Sequence, residues 1–390
     1  MLKDRYLTPF IVEDLKEKMV FVGGPRQVGK TTLCRNFVAL HFKGDAYYNW
    51  DNRADRRAVI ASIWPGDAEL LIFDEIHKYR KWKGFIKGEY DKLKVIYKFL
   101  VTGSARLDLY RRGSDSLQGR YHYFRLHPFT LAEVENIPYK FSEFSELPIG
   151  KGFHQSAMEM LDIFGGFPEP VTKQNKRHLR RWHNEKIERL FREDILGVEA
   201  IRDIGSMKLL GDILPLKVGS LFSLNAIRED IEVSFRAVSR WMDILEAFYY
   251  HFRIYPFASK KVRSLKKEPK LYLWDWSEVE DESARFENLV ASHLLKFIHF
   301  ITDYEGYKAE LYYLRDINKR EVDFLVAIGG KPWFAVEVKL NDTSISPHLL
   351  YFKEKLSIPF AYQVVKKNNV DSLQKGVRII SAGKFLSGLG

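Results

Sequence analysis

Apolar and polar positions follow two rhythms along this chain. From residue 1 to about 135, short apolar runs ("MVFVGG", "ELLIFDE", "YKFLVTGS", "RYHYFRLH") are separated by stretches with helical spacing. Runs of this length, rich in valine and aromatics, predict buried strands, and their alternation with helices predicts a mostly parallel sheet. From about 155 to 205 the text is helical but interrupted by "GGFPEP", where Gly165, Gly166, Pro168 and Pro170 must break a helix. From about 206 to 257 three helical segments lead into an aromatic strand. From about 271 apolar strands return, with "VDFLVA" and "WFAVEV" the clearest, and no repeat or low-complexity tract is visible.

The first apolar run leads into "GGPRQVGKTTL", which fills the template GxxxxGK[ST] with Gly24, Gly29, Lys30 and Thr31. Glycines let the backbone turn its N–H groups toward one point, and the following helix adds its positive end. The residues expected to cradle the phosphates of ATP are Gly24, Pro25, Arg26, Gln27, Val28, Gly29, Lys30, Thr31 and Thr32. Lys30 would reach the β/γ-phosphates and the Thr31 hydroxyl would hold Mg²⁺. The helix that follows, "KTTLCRNFVALHF", has Leu33, Phe37, Val38 and Leu40 at core spacing.

A second strand, "ELLIFDEIHK", ends in Asp74 and Glu75. Parallel strands present their ligand sites at the C-terminal edge, so Asp74 would support Mg²⁺ and Glu75 would polarise the attacking water. "YKFLVTGSARL" supplies a third strand end, with Ser104, or Thr102 as second choice, as a hydrogen-bond partner for the γ-phosphate or the water. Of the arginines that follow (Arg106, Arg111, Arg112 and Arg120), Arg120 is the first candidate for a finger supplied to a neighbouring subunit.

In the middle, "SLNAIREDIEVSFRAVSRWMDILEAFYY" reads as helix, turn, helix, with Ser223 and Ser234 as caps. Val238, Trp241 and Leu245 form an inward stripe, while Arg236 and Arg240 share another face suited to phosphate. Two aromatic strands then flank a basic connection with Lys260, Lys261, Arg263, Lys266, Lys267 and Lys270. A winged helix would place such a hairpin against DNA, although lysine-rich loops are commonly only solvated. Near the C-terminus, "KREVDFLVAIGGKPWFAVEVKL" reads as a hairpin joined by "IGGKP". Glu337 and Lys339 stand at i and i+2 and share one face, Asp323 comes from the preceding strand, and "ARFENLVASHLLKF" offers Glu287 from a helix. One Asp followed by Glu-x-Lys suits a Mg²⁺-dependent nuclease with a restriction-endonuclease-like core, in which Asp323, Glu337 and Glu287 hold the ion and Lys339 adds charge.

Composition sharpens this reading. The chain has 390 residues and a formal net charge of +11, which suggests a polyanionic partner, nucleic acid before membrane. The single cysteine, Cys34, reads as a core residue, so no disulfide framework is expected. No signal-peptide core or spanning run is seen, and a cytoplasmic protein is expected.

Together, "GPRQVGKTTL", "LLIFDEIHK", "FLVTGSARL", "SLQGRYHYFRLHPFTLAE" and "GGFPEP" resemble a family of prokaryotic AAA-type ATPases with a C-terminal domain of unknown function. The resemblance covers nearly the whole chain. It implies an α/β P-loop core with a helical lid over 1–205, a winged helix over 206–270 and a restriction-endonuclease-like module over 271–390, with assembly into a ring as a possibility. Two functions fit: ATP-dependent processing of DNA, or a nucleotide-regulated switch whose C-terminal modules bind protein or DNA without cutting.

Overall fold

The computed structural model describes residues 3–103, 117–195, 203–258 and 267–390. Ser104 and the arginines at 106, 111 and 112 lie outside these, as do Lys260, Lys261, Arg263 and Lys266. Two compact units emerge, one from Met1–His127 with Ala247–Tyr249, the other from Pro128–Glu246 with Tyr250–Gly390.

The first unit is built on five strands, β1 (Met19–Gly23), β2 (Asp45–Asn49), β3 (Leu70–Asp74), β4 (Lys98–Thr102) and β5 (Tyr121–Arg125). All pair in parallel, in the order β2-β3-β4-β1-β5. Both faces are covered, which is why the strands read as continuous apolar runs. On one face Met19 and Phe21, Leu71 and Phe73, Phe99 and Val101 pack with Trp82, Ile86 and Tyr90 of the helix Trp82–Leu93. On the other, Val20, Val22, Leu70, Ile72 and Leu100 are buried as well.

The helix after the P-loop departs from its sequence-based phase. It starts as an α-helix at Lys30–Leu33, widens to a π turn over Cys34–Val38 and tightens over Ala39–His41. A π turn adds residues per revolution and rotates the later face. Leu33, Cys34, Val38 and Ala39 are therefore buried, while Leu40, expected in the core, is exposed. Cys34 is a buried core residue, as expected.

The second unit begins with the helices Gln155–Phe164, Pro168–Lys173 and Lys176–Arg189. The break between the first two falls at "GGF": Gly165 has φ of 72°, and Pro168 opens the next helix, where a missing N–H costs nothing. Three further helices, Ile204–Ile213, Leu224–Asp230 and Phe235–Ala247, precede the antiparallel pair β6 (His251–Pro256) and β7 (Lys270–Leu273). Ala237 N–H bonds to the Ser234 hydroxyl at 3.2 Å, so Ser234 caps the third helix. The segment before the second helix bridges β7 through Val218 and Leu221.

β6 and β7 belong to an eight-stranded sheet with β8 (Ala309–Arg315), β9 (Glu321–Ile328), β10 (Lys331–Lys339), β11 (Phe360–Val365), β12 (Asp371–Gln374) and β13 (Val377–Ser381). Its order is β12-β13-β11-β10-β9-β8-β6-β7. β9 and β10 form the expected hairpin, turning through Gly329 and Gly330, both with positive φ. A long helix, Glu282–Asp303, contacts β7 through Asn288.

Candidate functional site

The first centre sits at the C-terminal edge of the five-stranded sheet. Gly29 caps the P-loop helix at φ 97°. Gly24 runs so close to β5's end that an added Cβ would stand 2.4 Å from the Leu126 carbonyl oxygen. Only glycine fits there. The buried Lys30 ammonium donates to the carbonyl oxygens of Gly24 (2.9 Å) and Pro25 (2.7 Å). Arg5 is buried beside the loop and donates to the Val28 carbonyl at 2.8 Å and the His127 carbonyl at 2.5 Å, clamping the loop from outside.

β4 lies between β1 and β3, so Thr102 is in register with Val22 on one side and Asp74 on the other. Its hydroxyl hydrogen-bonds Asp74 Oδ1. Asp74 Oδ2 accepts from the Thr31 hydroxyl at 2.7 Å and the Tyr47 hydroxyl at 2.7 Å. The second choice at the third strand end, Thr102, thus reaches the acid. Tyr47 has a signal visible only in retrospect, since it sits two residues before the end of β2. Glu75 has φ of 58° and ψ of 20°, an uncommon conformation for a residue with a side chain. Burial pushes its carboxyl up, against the opposing pull of Lys30 and Lys78. A carboxylate raised in this way is a better proton acceptor near neutral pH.

Hard oxygen donors therefore converge at the loop: the Thr31 hydroxyl touches an Asp74 oxygen, an arrangement that suits Mg²⁺. Arg120 is elsewhere. It precedes β5, at the N-terminal edge of the sheet, opposite the loop, and holds Asp91 in a bidentate pair at 2.8 and 3.0 Å. It does not meet its own P-loop, and any service to a neighbouring subunit would begin by releasing Asp91.

The second centre forms around Glu287, Asp323, Glu337 and Lys339. "FEN" places three roles in succession. Phe286 is buried in the core. Asn288 clasps both backbone groups of Leu273 at 2.8 Å, pinning the helix to β7. Glu287, between them, accepts from the Tyr272 hydroxyl at 2.6 Å. Asp323 Oδ2 accepts from the Val338 N–H at 2.9 Å, and Glu337 Oε1 pairs with Lys339 at 2.7 Å. Burial, then the Asp323 charge, pushes both Glu287 and Glu337 up to about 7.

One residue overturns its expectation. Lys270, read as a cation of the DNA-facing connection, is a buried residue of β7. Its ammonium lies 2.8 Å from Glu321, 3.3 Å from Glu287 and 3.3 Å from Asp323. Burial would lower its pKa, but Tyr272 and these carboxylates outweigh that and hold it well above the usual lysine range. Within the strands, Lys270 and Tyr272, like Glu321 and Asp323, stand two apart and so share a face.

On the helix Phe235–Ala247 the stripe Val238, Trp241 and Leu245 is buried, and Arg236 and Arg240 are exposed one turn apart. Lys267 is exposed. Among the described residues no helix is long and apolar enough to cross a membrane.

Comparison with known proteins matches three segments of the chain. Residues 16–135 match an AAA domain, residues 155–277 a domain of unknown function (DUF8612), and residues 282–385 another (DUF4143). An uncharacterized protein of Mycobacterium tuberculosis is 23% identical over 337 residues, 83% of this chain and 71% of its own. One from Methanocaldococcus jannaschii is 24% identical over 363 residues, 85% of this chain and 77% of its own. A Thermotoga maritima RuvB variant overlays with a TM-score of 0.31 and 18% identity, across 63% of this chain and 88% of that one. The N-terminal part of this chain is thus similar to AAA-type P-loop domains, and two regions that match domains of unknown function follow it.

Proposed function

We propose that this protein binds and hydrolyses ATP at its P-loop. The observation that carries this is the convergence on Asp74 of hydroxyls from Thr31 and Thr102, beside Lys30 and Glu75 at one sheet edge. Lys30 would exchange its two backbone carbonyls for the β/γ-phosphates. Thr31 and Asp74 would hold Mg²⁺, whose charge neutralises the phosphates. Glu75 would take the proton of the attacking water. Steady-state hydrolysis by the wild type, Lys30→Ala and Glu75→Gln proteins tests this: Lys30→Ala is expected to lose nucleotide binding, and Glu75→Gln to keep binding and lose turnover. Hydrolysis by Glu75→Gln at the wild-type rate would refute the role of Glu75.

The partner proposed for the C-terminal part is DNA, through a winged helix made of the three helices 204–247 and the β6–β7 pair. The support is the net charge of +11 and the exposed arginines on the third helix. Binding to duplex DNA measured across a salt series is expected to show a log–log slope of about −0.9 per phosphate contact. Replacing Lys260, Lys261, Lys266 and Lys267 by alanine should flatten that slope, and an unchanged slope would remove the hairpin from the interface. Between the two activities open for the last domain, cutting and binding, the placement of Lys270 favours binding, and with it the nucleotide-regulated switch or adaptor.

A further inference from the structure

We infer that Lys270 is the resident cation of the acidic centre, in the place where a nuclease of the D…E-x-K pattern holds a divalent metal, so that this centre is a closed ion cluster and not a metal site. The inference is independent of the ATPase reading.

An ammonium has three N–H donors and no acceptor. The Lys270 ammonium has three carboxylate neighbours, Glu321, Glu287 and Asp323, which match those donors in number. The oxygens a metal would need are already engaged. Asp323 Oδ1 pairs with Lys270 and Asp323 Oδ2 accepts from Val338 N–H. Glu287 Oε1 accepts from Tyr272 and Lys270. Glu337 Oε1 accepts from Lys339, with the Ser346 hydroxyl at 3.5 Å. Four of the six oxygens of these acids are thus committed. Mg²⁺ asks for about six oxygens in near-octahedral geometry at about 2.0–2.1 Å, some of them from water. The two left over are Glu287 Oε2, which faces Gly219, and the buried Glu337 Oε2, which accepts no hydrogen bond among the described residues; two acceptors do not supply that shell.

Charge agrees with geometry. Three cations, Lys270, Lys339 and the Glu321-bound Arg315, face four carboxylates, Glu287, Glu321, Asp323 and Glu337. A divalent ion added to that set would turn it net positive. The chain also closes over the acids. Gly219 has φ of 74°, and a Cβ there would stand 3.3 Å from Glu287 Oε2. Lys270 opens β7, and Asn288 clasps that strand at Leu273, three residues further along. A strand residue pinned in this way does not swing aside as a loop lysine would.

The test uses the full-length, nucleotide-free protein titrated with Mn²⁺, with free ion read by electron paramagnetic resonance. Wild type and Asp323→Asn are expected to bind equal amounts, because the wild-type centre takes none. Lys270→Gln, which leaves a neutral donor among the carboxylates, is expected to gain one ion per chain, bound about 10-fold or more tighter than any in wild type. The gain should vanish in the Lys270→Gln/Asp323→Asn double variant. Asp323-dependent binding in wild type overturns the inference. So does a Lys270→Gln protein that is folded by circular dichroism and gains no ion. If Lys270→Gln does not fold, the pair of wild type and Asp323→Asn decides: equal binding supports the closed cluster, and unequal binding refutes it. Neither outcome touches ATP hydrolysis, which is not part of the readout.

Discussion

The two centres of this chain are built from the same kinds of residue and differ in what their lysine touches. At the P-loop, Lys30 rests on two neutral backbone carbonyls, Gly24 and Pro25. In the C-terminal sheet, Lys270 rests on three carboxylates. A buried cation whose hydrogen bonds go to neutral carbonyls can exchange them for the charged oxygens of a polyphosphate. A buried cation on carboxylates is already compensated, and removing it would strand their charge. On the proposed readings, one lysine would receive a ligand and the other takes the ligand's place. The presence of acids and a lysine in a motif therefore says little until the partner of the lysine is known.

The comparison is broken or sharpened first at Glu75. Glu75→Gln should lower ATP turnover by about 100-fold or more, the scale of a lost general base, with nucleotide affinity retained. Single-turnover hydrolysis alongside fluorescent-nucleotide binding separates the two. The next largest effect concerns stability. Lys270→Met should cost about 3–5 kcal/mol, as does breaking a buried ion pair, whereas Lys30→Met in the nucleotide-free protein should cost about 1–3 kcal/mol, the scale of lost hydrogen bonds. Urea unfolding of both variants compares them, and equal costs would erase the distinction between the lysines.

The pH dependence of stability is a smaller effect. Glu287 and Glu337 have folded-state values raised to about 7 from an ordinary 4.5, with burial as the main cause. The folded state therefore binds more protons than the unfolded chain between about pH 4.5 and 7. Their contribution is fully present below 4.5 and is lost as pH rises through 7. The Glu287→Gln/Glu337→Gln variant should lose stability less steeply than wild type over that window in thermal melts at a series of pH values. The smallest effect is expected at Arg120, whose pair with Asp91 is exposed. Arg120→Ala should leave the melting temperature nearly unchanged. Mixing Arg120→Ala with Lys30→Ala subunits should restore ATP hydrolysis only if the arginine serves a neighbour; demonstrably mixed assemblies without rescue would assign it to the pair with Asp91.

Much of the first centre was legible because its parts are local. Gly24 through Thr32 are contiguous, and a strand followed by a helix is sufficient context for them. Asp74 and Glu75 end an unmistakable apolar run. The bond from Thr102 to Asp74 was not legible, because which residue of a strand end meets Asp74 depends on the register between β3 and β4; Ser104, the first choice at that strand end, lies outside the described residues. Leu40 was misplaced for a comparable reason: a π turn shifts helix phase and leaves no clear mark in residue spacing. In the C-terminal part, the face shared by Glu337 and Lys339 followed from strand periodicity alone. Helices 155–189 illustrate the opposite case. Their existence was readable from spacing, whereas which residues cluster with them in one compact unit is a matter of contacts between distant parts of the chain.

What the sequence by itself determined is whatever depends on neighbours within a few residues: the phosphate loop, the acids that end β3, the hairpin through Gly329 and Gly330, and the buried stripe Val238, Trp241 and Leu245. What only the tertiary structure decided is who meets whom across the chain. Lys270 and Asp323 are 53 residues apart, and nothing in local spacing distinguishes a lysine that ends a basic loop from one that begins a buried strand. Strand pairing and the Asn288 clasp make that distinction, because they bring the ammonium out of water and leave carboxylates as its nearest partners. Electrostatic partnership is set by distance in space, and distance in space is a property of the fold.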